Sequence, residues 1–477
     1  MTTLENYRTY RDLPPVAGIC TIPEAARIGF SVDDCVKRLK RHHWAMRRLH
    51  GIFIERLTAE PIYELKMAFS LHAYYCAEHA ASWRKRVAEM REPPLGLDNP
   101  PDMALDVFFD EIAGTRETEA LLVGLYEHAM PALRDALVRH RDETNHLVDH
   151  PSFRICRFAL IEVEEMLDYG NKAIERLVTA GRRSELAHWK VLLDRTLEQA
   201  GALDGSQEAR GGEPARLYSV SPRAFDGVPQ RDERFPDPYN MGVHAEAFLY
   251  DARFPPEPKT LMMYYKRLRE IDVPEMMASI IAETKGKSWG YYLDMTRQLW
   301  DEARHAMMGE VGFVHAGIDW AHIVRINFTW SLALNTQLTP IERHAVLYFI
   351  EQGLMPKTGK RFEWEVGTAS GDEFSRMIQD YDWADEVLHA HIGRDWFVRP
   401  YGDAKKAIEF GDRSWTKVLI DWSSYRDKGL TGHENWWPAL YLAWCEAKGR
   451  KPDPEVLAFD TSYAASRADL KDVSVSA

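Results

Sequence analysis

Four glutamates in this chain have a histidine three residues later: Glu143 with His146, Glu185 with His188, Glu302 with His305, and Glu386 with His389. On a helix, positions i and i+3 share a face. Each pair can therefore offer a carboxylate oxygen and an imidazole nitrogen to one metal ion, a donor set that suits iron, manganese or zinc. With 39 Glu and 18 His in 477 residues, about one or two such pairs arise by chance, so a bare match carries little. Two of the four stand apart because they lie in a repeat. Residues 301–313 read DEARHAMMGEVGF and residues 385–397 read DEVLHAHIGRDWF, with six of thirteen positions identical and a tryptophan just upstream of each, Trp300 and Trp383.

The flanks separate these two copies from the rest. Glu143 lies in the polar stretch RHRDETNHLVDHP and Glu185 in RRSELAHWK, both of which read as solvated helix surface. Leu299, Trp300, Met307 and Met308 surround one repeat copy, and Trp383, Val387, Leu388 and Ile392 the other. A carboxylate in such a setting must be paired, protonated or metal-bound. The bland alternative is two ordinary helices with buried salt bridges. A pair of ions needs two further carboxylates from partner helices, and hairpin geometry selects them. Across a turn at Gly286-Lys287-Ser288, the residue at the depth of Glu302 is near 274, which favours Glu275. Glu283 is second and Glu270 an outlier on the other side; a longer unbroken helix through Gly286 would reverse the order. Across a turn at Gly367–Gly371, the mirror of Glu386 is Glu351, with Glu342, Glu363 and Glu365 as weaker alternatives and a helix-breaking GLMPKTGK just after it. Asp301 and Asp385, one residue before each Glu-x-x-His pair, are placed to accept the other ring N–H of the opposing histidine.

The elements that must position these groups are helices. Apolar residues recur at three- and four-residue spacing over 60–92, ending at Pro93-Pro94, over 116–147 with a kink at Pro131, over 152–180 with Gly181 as a stop signal, and over 183–200. Strand alternation is nearly absent, so the expected class is all-α, with an antiparallel bundle in the first half. The expected organisation is a helical domain over 1–200 and a Gly-, Pro-, Asp- and Arg-rich linker or extended surface segment over 201–258. A metal-binding helical domain over 259–400 and a helical extension with a poorly ordered tail over 401–477 follow. The formal charge of −13 argues against nonspecific nucleic-acid binding. No long apolar run predicts a membrane span, no signal peptide is apparent, and five scattered cysteines suit a reducing compartment, so a cytoplasmic protein is expected.

The DEARH sequence resembles the D-E-x-R-H signature of bacterial multicomponent monooxygenase hydroxylases, within the ferritin-like di-metal carboxylate superfamily. The pair of copies looks closer to an uncharacterised ferritin-like family called DUF455. The resemblance covers residues 270–397. It implies a ferritin-like four-helix core with Glu275 and Glu351 as single ligands and Glu302, His305, Glu386 and His389 as the paired ones, beside an additional N-terminal helical bundle. The functional expectation is a di-iron or iron–manganese oxidase or oxygenase that activates O2 on a small molecule. No nucleotide-binding motif is convincing, so electrons would come from a separate reductase, the substrate or a small reductant. Trp300, Trp383, Trp396, Tyr291 and Tyr292 are candidate electron carriers, although aromatics at helical spacing are mostly core. A metal-storage protein and a noncatalytic helical scaffold are the alternatives. The sequence leaves substrate and oligomeric state open.

Overall fold

A computed structural model describes residues 3–91, 96–356, 358–421 and 423–466. Among these residues every regular element is helical and no strand occurs. No described helix is long and apolar enough to cross a membrane, and all five cysteines are unpaired. The chain divides into two compact units, residues 1–52 with 72–224, and residues 53–71 with 225–477. Residues 467–477 of the expected tail, and the Pro93-Pro94 stop, lie outside the described residues.

Two long helices, α1 (Val32–Leu57) and α2 (Tyr63–Glu89), contribute residues to both units. The rest of the first unit comprises α3 (Met103–Ala113), α4 (Met130–Glu143), α5 (His150–Leu177) and α6 (Ala187–Gln199); α4 packs on α5, and α3 on α6. The bend expected at Pro131 is a widened π turn over Val123–Ala129 just before it. Proline has no N–H to give the preceding turn, and the wider turn absorbs the mismatch. Gly181 does not stop α5. That helix ends at Val178, whose backbone is extended, and Thr179 caps a new short helix, Ala180–Glu185, that contains Gly181. Glu143, Glu185 and His188 are exposed, and His146 is half-buried.

In the second unit, residues 225–258 do more than link. They bury Phe235, Met241, Val243, Phe248 and Phe254 in its core, and the Arg231 side chain is also buried. The helices that follow are α7 (Pro256–Arg269), α8 (Asp272–Glu283), α9 (Trp289–His315), α10 (Thr329–Gln337), α11 (Pro340–Gly353), α12 (Lys360–Ala369), α13 (Glu373–Gly393), α14 (Ala404–Asp421) and α15 (Trp437–Ala447). The repeat copies sit on α9 and α13. Helices α7 and α8 both pack on α9, α11 and α12 both pack on α13, and α9 packs on α13. The circle closes where α7 meets α12 and α8 meets α11.

Each of the pairs α7 with α8 and α11 with α12 is an interrupted rod, and prolines account for the interruptions. Pro274 lies in the first turn of α8; in an unbroken helix its ring would meet the carbonyl of residue 270. The rod therefore breaks at Glu270-Ile271. Pro356 follows α11 in the same way. The repeat's shared glycine marks where a broken rod comes closest. A Cβ on Gly309 would fall 2.2 Å from the Leu268 amide nitrogen, and one on Gly393 would fall 2.5 Å from the Tyr348 ring. The shared phenylalanines, Phe313 and Phe397, are buried beside Tyr264 and Tyr348, with ring centroids 5.9 and 6.0 Å apart.

Candidate metal centre

The two Glu-x-x-His pairs face one another inside the second unit, and the His305 and His389 ring centroids lie 5.9 Å apart. Three overlapping sets of donor atoms fall within 4.8 Å: Glu302, Glu351, Glu386 and His389; Glu270, Glu302 and His305; and His305, Asp382 and Glu386. Glu302, Glu386 and His305 each belong to two sets. His389 Nδ1 is 3.1 Å from Glu302 Oε1 and 3.5 Å from Glu386 Oε2. His305 Nδ1 is 3.5 Å from both Glu302 Oε2 and Glu270 Oε2, and 3.4 Å from Asp382 Oδ1.

Both imidazoles thus turn Nδ1 toward the carboxylates and Nε2 away. His305 Nε2 lies 3.2 Å from Asp385 Oδ2, and His389 Nε2 lies 3.5 Å from Asp301 Oδ2. Each aspartate lies on the Nε2 side of the histidine of the opposite copy, Asp385 within hydrogen-bond distance and Asp301 at longer range, an arrangement that would favour Nε2–H and leave Nδ1 to an ion. Arg304 ties the two aspartates together, donating to Asp301 and, at 2.8 Å, to Asp385 Oδ2. The matching position in the second copy is Leu388, so one arginine serves both.

The donors are buried and under-satisfied. Glu302, Glu351, Glu386, His305 and His389 are 3% exposed or less. Glu270 Oε2, Glu351 Oε2, Glu386 Oε2 and the Nδ1 atoms of both histidines have no hydrogen-bond partner. Buried polar groups are seldom left so, and ions held by the separate donor sets would between them satisfy all five. The protonation pattern agrees. Burial opposes ionisation of Glu302, but the adjacent His305 and His389 imidazoles outweigh it and hold its carboxyl down to about 2. Glu351 goes the other way, pushed well up by burial and by the Glu386 and Glu302 carboxylates. Both histidines are raised: burial disfavours their charge, and the neighbouring carboxylates, Asp385 and Glu302 for His305 and Asp301 and Glu302 for His389, prevail. Without an ion, protons compensate this cluster.

Of the expected ligands, Glu302, His305, Glu351, Glu386 and His389 come together. Glu275 does not. It lies on α8, wholly buried, and accepts from Lys66 Nζ at 2.7 Å, Arg231 Nη2 at 2.8 Å and Ser331 Oγ at 2.8 Å. Its alternate Glu283 pairs with Arg343. The donor comes instead from Glu270, in the break between α7 and α8. The mirror estimate assumed one straight helix, and the break moves the ligand back by more than a turn. Glu363 is buried against Lys266 and Arg267, Glu342 caps α11, and Glu365 pairs with Arg361. Val387 and Leu388, read as apolar cover, are exposed at 43% and 37%; they point away from the face that carries Glu386 and His389.

Asp382, Gln298, Lys360 and Arg267 were not foreseen. Asp382 and Gln298 occupy equivalent positions in the repeat, one turn before Glu386 and Glu302 on the same faces. Extending the alignment upstream would have found both. Gln298 Nε2 donates to Glu351 Oε1 at 3.0 Å. Lys360 Nζ pairs with Glu386 Oε1 at 2.8 Å, Asp382 Oδ1 at 2.9 Å and Glu270 Oε1 at 3.4 Å.

A cavity of about 410 Å³ adjoins the cluster. Its lining includes Glu270, Glu302, Glu351, Glu386 and Lys360, apolar side chains such as Met276, Leu334 and Trp330, and the further charged residues Glu246, Lys266, Arg267, Arg269 and Asp272. A larger cleft of about 820 Å³, near Glu257, Asp372 and Trp444, contains none of the donor residues. Buried Glu and His clusters in this unit can hold metal ions. No family model matches the chain, and neither a curated protein nor a solved structure does.

Proposed function

We propose that this chain is a non-haem di-metal carboxylate oxidoreductase, with a ferritin-like four-rod core, that uses O2 to oxidise a small molecule. The observation that carries this reading is the convergence of two Glu-x-x-His pairs and two single glutamates, with five donor atoms unpartnered. Glu302 and Glu386 would bridge two ions, Glu351 with His389 would complete one position, and Glu270 with His305 the other. Iron, or iron with manganese, fits carboxylate and imidazole donors and supplies electrons to reduce O2. Asp301 and Asp385 hold the two imidazoles in their ligating tautomer. The adjoining cavity gives a mostly apolar substrate access to the same carboxylates, and a separate reductase would return electrons.

Protein prepared with iron should hold close to two ions per chain. Glu302→Ala, which removes a shared donor, should lose most of them while far-UV circular dichroism stays unchanged. Ferrous-loaded protein mixed with O2 should consume it with a transient optical species and no mineral. Mineral growth would favour storage instead. Well under one ion per chain, unchanged by Glu302→Ala, would overturn the metal reading.

A further inference from the structure

We infer that the two ion positions are inequivalent and fill in order, the Glu351–His389 position first, because the Lys360 ammonium already stands among the donors of the Glu270–His305 position. This rests on the di-metal reading above and specifies how the centre assembles.

The repeat would make the two positions alike, and the side chains around it do not. On the Glu270 side, Lys360 lies 2.8–3.4 Å from oxygens of three carboxylates, Glu386, Asp382 and Glu270, and its side chain is 1% exposed. Arg267 also pairs there, with Glu270 at 2.9 Å and with Asp382. On the Glu351 side, the equivalent of Asp382 is the neutral Gln298. Among the described residues the only basic groups within 4.0 Å of Glu302 or Glu351 are His305 and His389. Lys360 is held where it is by its position as the first residue of α12. Gly359 before it packs so closely that a Cβ would fall 2.1 Å from the Leu354 carbonyl oxygen.

An ion entering beside Glu351 meets Lys360 only through the shared Glu386, because neither Glu351 nor Glu302 pairs with a lysine or arginine among the described residues. An ion entering beside Glu270 must take oxygens from an ammonium group or share them with it at short range, where two cations repel strongly in a buried site. The first ion is therefore bound tightly and the second weakly. A centre that fills in two steps can accept two different metals in turn.

Anaerobic titration with Mn(II), followed by calorimetry and electron paramagnetic resonance, tests this on the full chain. Wild-type protein should take one equivalent tightly, with the hyperfine-split signal of an isolated Mn(II). A second equivalent should enter at least about tenfold more weakly, and the signal should fall as the ions couple. Lys360→Met should close that gap by about tenfold, and Lys360→Arg should keep it. If Lys360→Met does not fold, Glu270→Gln and Glu351→Gln decide: the first should abolish only the weak step and the second the tight one. Two equal steps in wild type, an unchanged gap in folded Lys360→Met, or the reverse assignment of the two glutamines would overturn the order of filling and leave the metal centre standing. A folded wild-type chain that takes up no Mn(II) would overturn both.

Discussion

Glu275 accepts charged hydrogen bonds from Lys66 and Arg231 and a neutral one from Ser331, which leaves little capacity for an ion. Burial would raise its carboxyl, but Arg231 and Lys66 outweigh burial and hold it down to about 2. Asp272, sharing Arg231, is instead pushed up to about 7, chiefly by burial and despite the guanidinium. Five residues earlier, Glu270 keeps one oxygen without a partner and faces His305. The two glutamates should therefore separate stability from metal binding. Glu275→Gln removes the charge that balances two buried cations and should cost about 3–5 kcal/mol in urea denaturation, with iron content unchanged. Glu270→Gln, whose buried partners Arg267 and Lys360 keep Glu363, Asp382 and Glu386, should cost less stability and lower the iron content toward one per chain. Iron loss in Glu275→Gln alone would return the ligand to α8.

The helices explain why one ligand was legible and its counterpart was not. The motif pairs on α9 and α13 follow from spacing on unbroken helices, and Glu351 was found although the count back from Gly367–Gly371 crosses the break between α11 and α12. Glu270 was missed because the turn at Gly286, where φ is +77°, was read correctly while the break set by Pro274 was not. The useful signal was a proline four residues beyond a glutamate, and Glu351 has one five residues on. The all-helical class was legible from periodicity, whereas α1 was not singled out and the burial of residues 225–258 depends on tertiary packing. The close crossing of α7 and α9 gives this level its own test. A Cβ at Gly309 meets backbone, the Leu268 nitrogen at 2.2 Å and the Tyr264 carbonyl oxygen at 2.5 Å, which cannot swing aside as a side chain would. Gly309→Ala should force α7 outward, cost about 1–3 kcal/mol, and carry Glu270 from His305. Thermal melting and iron content should fall together. Unchanged iron content in a destabilised Gly309→Ala would mean that the crossing does not position Glu270.

Across the whole molecule, the buried histidines of the first unit and the two of the carboxylate cluster in the second are held in opposite charge states. In the first, burial lowers His50 and His72 to about 3 and His43 and His140 to about 4. His42, 3.1 Å from His140 Nδ1, is lowered as well by burial and by that neighbour. These groups are neutral in the folded unit and take up protons only on unfolding. Below the ordinary histidine value of about 6.5 the unfolded chain binds more protons, so this contribution to stability is complete above pH 6.5. It is lost as pH falls toward 4. From pH 7 to 5.5 the loss is about 1 kcal/mol for each such histidine. In the second unit of ion-free protein, His305 and His389 are raised, so their contribution has the reverse sign: it is complete below about pH 6.5 and fades as pH rises through their folded values. Hydrogen exchange of ion-free protein, corrected for intrinsic rates, should therefore show the opening free energy of α4 and α5 falling between pH 7 and 5.5, while that of α9 and α13 holds or rises. Equal acid loosening of both sets would show that charge at His305 and His389 is not stabilised by the surrounding carboxylates. Iron loading should then abolish the pH response of α9 and α13 in this window, because ions replace the protons that Nδ1 would carry.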